Sequence, residues 1–170
     1  MRSPICSDSG MATPAPPTGH PFWKVFQKVT EANVWLYRVS KGRLGNHLPG
    51  YPEAPIILLH HVGAKSGAHR VSPVNSLPDG ERWIIVASKG GTDKHPGWLH
   101  NLKANPETEI EAPERIPVTA RVVDEAERAE LWPRLVEIYP PYADYQANTD
   151  RQIQVISLER RQAEPIRRQA

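Results

Sequence analysis

The most constraining feature of the sequence is a predicted β-hairpin between residues 69 and 88. The run HRVSPVNSL (His69 to Leu77) alternates loosely between apolar and polar residues, and RWIIVAS (Arg82 to Ser88) is rich in β-branched residues. The turn PDGE (Pro78 to Glu81) joins them, and an Asp-Gly pair between two β-rich runs is a strong hairpin signal. The sequence therefore predicts at least one antiparallel strand pair.

Four other runs have the composition of strands: APIILLHHVG (54–63), TEIEA (108–112), IPVTARVV (116–123) and QIQVISLE (152–159). Together with the hairpin they make about six strands, with helices before, between and after them, an order that favours an α+β barrel over a doubly wound parallel sheet.

Helical patterns fill the remaining segments. An amphipathic helix is predicted from Phe22 to a point near Gly42. Asp124 is a predicted N-cap for a helix through about Trp132, and Pro133 is predicted to start a second helical segment. After Pro140 and Pro141 break that segment, YADYQAN (142–148) is predicted as one more short helix.

Composition limits the organisation and the function classes. With 170 residues the chain is predicted to form one domain, residues 22–160, between a proline-rich disordered tail (1–21) and a basic tail (161–170). Met11 is an alternative start. A single cysteine excludes an intramolecular disulfide, and no apolar run reaches the roughly 20 residues of a membrane-spanning helix. A net charge of +2 gives no argument for nucleic acid. Because the single cysteine fits a reducing compartment and residues 1–21 lack the pattern of a secretory signal, we expect a cytoplasmic protein.

The predicted N-terminal helix has two interpretations. Its polar side and exit are basic and carry one acid, Glu31; the basic residues are Lys24, Lys28, Arg38, Lys41 and Arg43. Such a helix either packs across the domain, or it also rests peripherally on an anionic membrane or lines an apolar substrate entrance.

Two glycine-containing basic turns are candidate anion sites. Gly63 and Gly67 flank Lys65 and Ser66, and Arg70 begins the next strand. Glycines let backbone N–H groups face an anion, and basic side chains add charge-assisted hydrogen bonds. The spacing matches neither the Walker loop nor the GxGxxG fingerprint, and an ordinary basic β-turn is the alternative.

The second turn, SKGG (88–91), follows the next strand and again joins a hydroxyl, a lysine and two glycines. The turns at 63–67 and 88–91 could together bind one extended anionic molecule. Gly90 and Gly91 would let the chain pass close to it, while Trp98 and Asn101 supply a wall and an amide contact.

Several long segments resemble one known family. GAKSGAHRVSPV, VASKGGTDKHPGWLHNLKANP, VWLYRVSKGRLG and LWPRLVEIYPPYADYQANTDRQIQVISLE are similar to the deazaflavin-dependent nitroreductases of actinobacteria. The resemblance covers residues 22–160 and implies a split β-barrel, related to flavin mononucleotide-binding barrels and often a homodimer. It implies coenzyme F420, a deazaflavin with a phospholactyl and oligoglutamate tail, as hydride donor. The implied acceptor is a quinone, with nitroaromatic or nitroimidazole compounds as adventitious acceptors.

The resemblance also implies residue roles. The implied cofactor-binding residues are Lys65, Ser66, Arg70, Val71, Ser72, Pro73, Val74, Asn75, Val86, Ala87, Ser88, Lys89, Gly97, Trp98, Leu99, His100, Asn101 and Tyr142. Tyr139, Tyr142 and Tyr145 would close the acceptor pocket, with Tyr142 nearest the coenzyme, and Ser88 would orient the acceptor. Tyr142 and Ser88 are therefore the predicted catalytic residues. From the residues alone, three tyrosines at spacing three lie along one side of a helical segment, and core packing is the favoured interpretation.

The sequence departs from the family pattern at Ala64, His69 and the pair His60-His61. Adjacent strand residues point to opposite faces, so His60 and His61 cannot easily share a metal ion, and none is predicted. Two alternatives remain for the function. A flavin mononucleotide-dependent barrel is disfavoured by the several lysines, which suit a polyanionic tail, and a non-catalytic deazaflavin-binding protein would not need tyrosines at an open face.

Overall fold

The fold is known from a computed structural model, which describes residues 32, 34–48 and 50–161. The predicted tail 1–21, most of the N-terminal helix and residues 162–170 lie outside this range. The helices are α1 (34–39), α2 (Gly97–Ala104), α3 (Glu125–Ile138) and α4 (Pro141–Ala147). The strands are β1 (His47–Leu48), β2 (Tyr51–Val62), β3 (His69–Asp79), β4 (Arg82–Val86), β5 (Glu107–Glu111), β6 (Arg115–Val122) and β7 (Val155–Arg160).

All strand pairs are antiparallel, in the order β1-β2-β3-β4-β7-β6-β5, and a further β2–β5 pairing closes strands β2 to β7 into a barrel. The two-residue strand β1 adds to the edge of β2. This confirms the predicted α+β split barrel, with one strand more than expected. The predicted hairpin is present: Asp79 pairs with Arg82, and Gly80 takes the left-handed conformation at φ +64° in the turn between them.

Strand β3 changes its pairing halfway along its length. Residues 69–75 pair with β2, whereas only residues 76–79 pair with β4. Past Ile85 and Val86, the chain leaves the sheet for a turn at Lys89–Gly91. Residues 69–75 pair with β2 on one edge, and none of the described strands pairs with their other edge. The main-chain groups on that unpaired edge therefore face a gap between β3 and the turn at Lys89–Gly91.

Two apolar clusters hold the domain together. The barrel interior contains Ile57, Leu59 and Ile85, and Leu99 of α2 enters it from one end. On the outer face, α3 and α4 cover Ile84 and their neighbours in a second cluster. Alternate residues of one strand supply the two clusters, as the period of a pleated strand requires.

Helix α3 begins as predicted and ends later than predicted. The carboxylate of Asp124 accepts the N–H of Glu127 at 2.8 Å, which confirms the N-cap. The prediction of a new segment at Pro133 was wrong, because Pro133 lies inside one continuous helix. A proline removes only one intrahelical hydrogen bond, and the buried Leu131 and Leu135 on either side of it keep the same face packed in the outer cluster.

Helix α1 ends where the sequence predicted. The N–H of Gly42 donates to the Tyr37 carbonyl at 2.8 Å, and Gly42 adopts φ +74°, the left-handed turn that closes many helices. A Cβ on Gly42 would lie 2.7 Å from the Pro113 side chain. The glycine thus ends the helix and lets it approach the β5–β6 loop.

Candidate functional site

A cavity of about 690 Å³ opens between the β2–β3 turn and helix α2. Eight residues predicted to bind a cofactor line it, together with three that were not predicted: Lys65, Ser66, Arg70, Ser72, Gly97, Trp98, His100 and Asn101, then His61, Gly63 and Ala64. The structure therefore brings together segments that are about 30 residues apart in the chain, with charge on one wall and an indole on the other.

Strand register explains which residues of β3 reach the cavity. Arg70 pairs with His61 and Ser72 pairs with Leu59, so their side chains share the face of β2 that turns into the barrel. Val74 continues this face and packs against the barrel core. The alternate predicted residues, Val71, Pro73 and Asn75, occupy the opposite face of the strand.

The turn between β2 and β3 is held by its own hydrogen bonds. The N–H of Gly63 donates to the Ala68 carbonyl at 2.9 Å, and the N–H of Gly67 donates to the Gly63 carbonyl at 2.8 Å. The hydroxyl of Ser66 accepts the Ala68 N–H at 3.3 Å, so it serves the turn as well as the cavity. Lys65 lies exposed at the rim of a formed loop.

Asn101 ties α2 to this turn and to β2. Its Oδ1 accepts the N–H of Ala64 at 2.9 Å, and its Nδ2 lies 2.8 Å from Nδ1 of His61. The other ring nitrogen of His61, Nε2, lies 3.0 Å from the Ser72 hydroxyl. Burial, followed by the positive charge of Arg70, lowers the pKa of His61 to about 4, so the ring is neutral near pH 7.

The turn after β4 contains three consecutive left-handed residues. Lys89, Gly90 and Gly91 have φ values of 47°, 63° and 73°. A Cβ on Gly91 would lie 2.8 Å from the carbonyl oxygen of Tyr145, so this glycine is required by the packing of α4. The sequence interpretation assigned Gly91 to close approach of a ligand, and the structure gives it a different neighbour.

Arg151 holds this turn, and the sequence analysis missed it. Its guanidinium donates to the carbonyls of Ser88 at 2.6 Å, Thr92 at 2.7 Å and Ala87 at 3.3 Å. Burial lowers the pKa of Arg151. Because about 60 residues separate Arg151 from these acceptors, no local spacing could have indicated the contact. The arginine stabilises the turn that contains Ser88 and the left-handed Lys89.

The three predicted tyrosines form one cluster between α3 and α4. Ring centroids lie 4.8 Å apart for Tyr139 and Tyr142, and 6.4 Å apart for Tyr142 and Tyr145. Tyr142 is buried in the outer apolar cluster, and the other two are half-buried with hydroxyl oxygens 3.5 Å apart. Burial raises the pKa of Tyr142, which therefore stays protonated near pH 7, and the Asn75 side chain acts in the opposite direction.

Three predicted cofactor residues have their side chains in the core. Leu99 and Ala87 lie in the barrel cluster, and Val86 lies in the outer cluster. These side chains do not line the cavity, so only the main chain at these positions is available to a ligand. A motif marks a segment, and the strand or helix period then decides which of its side chains face the site.

His60 and His61 occupy opposite faces, as strand geometry predicts. Nε2 of His60 lies 2.8 Å from a carboxylate oxygen of Glu111, and Arg38 of α1 donates to the same carboxylate at 2.6 Å. This carboxylate was missed because β5 is distant in sequence. Residues 32, 34–48 and 50–161 contain no group of three or more His, Cys, Asp or Glu side chains that could hold a metal ion.

Comparison with known proteins identifies the family. The sequence model of the F420H(2)-dependent quinone reductase family matches residues 29–160. This chain belongs to that family. The quinone reductase Rv1261c of Mycobacterium tuberculosis is 44% identical over 130 residues, which are 74% of this chain and 86% of the relative.

Solved structures agree with the family and with the fold. An F420-H2 dependent reductase, FDR-A, is 44% identical with a TM-score of 0.57, over 62% of this chain and 94% of that chain. A domain-swapped dimer is 38% identical with a TM-score of 0.59, over 76% of this chain and 97% of that chain. The predictions of an oxidoreductase, of reduced coenzyme F420 and of a quinone acceptor are therefore confirmed at the level of the family.

The cavity contains the groups that a phosphate-bearing ligand requires. Lys65 and Arg70 are exposed at its rim, the Ser72 hydroxyl lies inside, and Trp98 gives a flat apolar wall. A Cβ on Gly97 would have no atom within 4 Å, so the start of α2 is open to a ligand. Basic side chains, a hydroxyl and an aromatic surface are the groups that a phosphate joined to an organic chain requires.

Proposed function

We propose that this chain binds coenzyme F420 across the gap beside β3 and passes its hydride to a quinone at the tyrosine cluster. The observation that carries the proposal is the cavity where Lys65, Arg70, Ser72 and Asn101 converge. The proposed site has two ends that differ in chemistry. One is the cavity, with basic side chains at the β2–β3 turn, and the other is the tyrosine cluster between α3 and α4, which does not line the cavity.

The basic end would hold the phosphate and the start of the acidic tail. Lys65 and Arg70 supply charge, and Ser72 and the open main chain at Gly97 supply directional hydrogen bonds. The Trp98 indole would pack on the linker between the phosphate and the ring. These contacts fix the coenzyme without taking part in the reaction.

The other end would hold the ring and the acceptor. Reduced deazaflavin supplies the hydride when it is bound, so the chain needs only to position two planar molecules and exclude water. The turn at Ser88 and Lys89 would border the ring, with its carbonyls directed to Arg151 and away from the ligand. The protonated Tyr142 hydroxyl can donate to a quinone oxygen as negative charge develops on that oxygen.

Titration with three ligands tests the proposal. Purified protein should bind reduced and oxidised coenzyme F420 more tightly than flavin mononucleotide, and should oxidise the reduced coenzyme when menadione is added. Nitroimidazole compounds should serve as slower acceptors. Tighter binding of flavin mononucleotide would favour the flavin alternative, and binding without menadione reduction would favour a carrier protein.

We further propose that the N-terminal segment contacts an anionic membrane. The most exposed large apolar side chains of the described residues lie in this segment, Trp35 at 65%, Val39 at 64% and Leu44 at 56%, near the basic Lys41 and Arg43 in the chain. Exposed apolar side chains beside basic ones suit the surface of an anionic membrane, where apolar groups insert near the lipid headgroups and basic groups bind negative charge. No helix in the described residues is long and apolar enough to cross a bilayer.

Vesicle binding tests the membrane proposal. The double variant Trp35→Ala/Val39→Ala should bind vesicles of phosphatidylglycerol and phosphatidylcholine several-fold more weakly than the parent. Val122→Ala removes an exposed apolar side chain from β6 and is the matched control. Equal vesicle binding by all three proteins would exclude this surface.

A homodimer is the remaining part of the proposal. It is supported by the similarity to the domain-swapped dimer described above. Light scattering after size exclusion should give twice the 19.1 kDa mass of the chain, and a monomer mass across micromolar concentrations would contradict it.

A further inference from the structure

A chain of four hydrogen-bonding groups runs from the β2–β3 turn through α2 and β2 to β3. It begins at the N–H of Ala64, passes through the Asn101 amide and the His61 ring, and ends at the Ser72 hydroxyl. A main-chain N–H can only donate, so the Asn101 atom beside it is the oxygen, which leaves the amide nitrogen beside His61.

The direction of this first bond decides the tautomer of His61. An amide nitrogen can only donate, so Nδ1 of His61 accepts its hydrogen and the ring proton resides on Nε2. Nε2 then donates to the Ser72 oxygen, 3.0 Å away. Burial of the ring and the nearby Arg70 keep His61 neutral, which this arrangement requires.

The direction of the last bond decides what the Ser72 hydroxyl offers to a ligand. With one lone pair occupied by His61, the hydroxyl hydrogen is left to donate. Within residues 32, 34–48 and 50–161, no protein acceptor receives it, and Ser72 lines the cavity. A hydroxyl poised as a donor suits an oxyanion, which can only accept.

We propose that His61 is a positioning residue that orients the Ser72 hydroxyl as a donor to the coenzyme phosphate and holds Asn101 at the cavity wall. The inference rests on the proposed function, since it concerns the same cavity. It assigns a role to a buried histidine that does not contact the reacting atoms. In the opposite tautomer, Nε2 of the neutral ring would accept a hydrogen bond from the Ser72 hydroxyl. Only the lone pairs of the Ser72 oxygen would then face the phosphate.

Two substitutions separate the two bonds of His61. His61→Asn places an amide oxygen near the Nδ1 position, so it keeps an acceptor for Asn101 and loses the donor to Ser72. His61→Gln places an amide nitrogen near the Nε2 position and keeps the donor to Ser72. Fluorescence titration of each variant uses two probes, intact oxidised coenzyme F420 and the deazariboflavin fragment that ends before the phosphate.

The expected result is specific to the phosphate. His61→Asn should weaken binding of the intact coenzyme about tenfold, while its affinity for the fragment stays within twofold of the parent. His61→Gln should bind the intact coenzyme within about threefold of the parent. In a Ser72→Ala background, His61→Asn should have no further effect, because the two residues act through one bond.

A second measurement needs no ligand. In protein labelled with ¹⁵N-histidine, the ring of His61 should show a protonated Nε2 and an unprotonated Nδ1 at pH 7, with the signal assigned by its loss in His61→Gln. The opposite tautomer would overturn the inference. So would equal losses for coenzyme and fragment, or fully additive losses for His61→Asn and Ser72→Ala.

The same titration separates this inference from the proposed function. If the parent protein binds the intact coenzyme no better than the fragment, the cavity is not a phosphate site, and both proposals fail together. If the parent prefers the intact coenzyme and His61→Asn keeps that preference, only the role of His61 fails.

Discussion

The buried hydroxyl of Tyr142 is where a structural and a functional role are hardest to separate. The ring packs against Tyr139 and Trp132, and it is 4% exposed. Core packing uses the ring alone, whereas acceptor orientation uses the hydroxyl. A substitution that removes only the hydroxyl therefore distinguishes the two roles.

We expect Tyr142→Phe to lower menadione turnover about 10-fold, which corresponds to about 1.4 kcal/mol of transition-state stabilisation. The free energy of unfolding should fall by no more than about 1 kcal/mol, because the ring contacts remain and only the contact of the hydroxyl with Asn75 is lost. Tyr37→Phe is the matched control. It removes a buried hydroxyl that donates to the Glu111 carbonyl at 3.2 Å and does not line the cavity, and it should cost about 1 kcal/mol of stability without changing turnover. Loss of stability without loss of turnover in Tyr142→Phe would contradict its catalytic role.

Arg151 supports a backbone conformation that its own segment could not maintain. The left-handed conformation at Lys89, a residue with a side chain, costs of order 1 kcal/mol, and the guanidinium offsets it by binding three carbonyls of the same turn. A lysine at position 151 would offer one ammonium nitrogen in place of the three guanidinium nitrogens that bind these carbonyls, so it could not reproduce the planar fork.

Arg151→Lys should therefore weaken coenzyme binding at least tenfold and lower the free energy of unfolding by about 2 kcal/mol. Urea unfolding and fluorescence titration measure the two effects. Arg121→Lys is the control, since Arg121 contacts Glu127 and Glu159 at the surface and such pairs contribute about 0–1 kcal/mol. Unchanged coenzyme binding by Arg151→Lys would show that the turn keeps its conformation without the three hydrogen bonds of the Arg151 guanidinium.

At the scale of elements, the β2–β3 turn separates its structural groups from its charged ones. The turn is closed by main-chain hydrogen bonds and the Ser66 hydroxyl, while Lys65 and Arg70 are exposed at the rim of the cavity. Removing either charge should therefore leave the turn folded.

We expect Lys65→Ala or Arg70→Ala to weaken coenzyme binding about tenfold, equivalent to about 1.4 kcal/mol. The loss should be larger at 20 mM than at 500 mM salt, because salt screens exposed charges. Arg115→Ala removes an exposed arginine from β6 and is the control. Salt-independent or unchanged affinity in both turn variants would remove the turn from the binding site.

At the scale of the whole molecule, two buried neutral histidines make the fold sensitive to acid. Burial lowers the pKa of both His60 and His61, to about 4 for His61. Below the ordinary histidine pKa of about 6.5, the unfolded chain binds protons at these two positions more readily than the folded chain does, and for His61 this difference extends down to about pH 4. The free energy of unfolding therefore falls as the pH falls through this window.

His61 alone should contribute up to about 3 kcal/mol to this loss, from a pKa difference of 6.5 against about 4. Urea unfolding at pH values from 7.5 to 4.5 measures it. His61→Asn, which cannot titrate, should flatten the pH dependence while keeping the bond to Asn101. An unchanged slope in this variant would show that His61 is not the responsible group.

Local signals in the sequence predicted the elements with good boundaries. The Asp-Gly pair predicted the turn after β3, Asp124 predicted the start of α3, and Gly42 predicted the end of α1, because each signal acts within one turn of the residue concerned. Pro133 misled for the same reason, since its local preference was overridden by packing of Leu131 and Leu135.

The sequence by itself determined six of the seven strands, the N-cap of α3, the two basic turns and the family, all of which depend on neighbouring residues or on ordered motifs. Only the tertiary structure decided which side chains face the cavity and which are buried, because that depends on strand register and on contacts between distant segments. In the structure, Leu99 is buried in the core and Gly91 packs closely against Tyr145 of α4. Arg151 binds the carbonyls of a turn about 60 residues earlier in the chain, and His61 lies between Asn101 and Ser72. Such contacts have no local signature, since burial and hydrogen-bond direction arise only when the barrel closes.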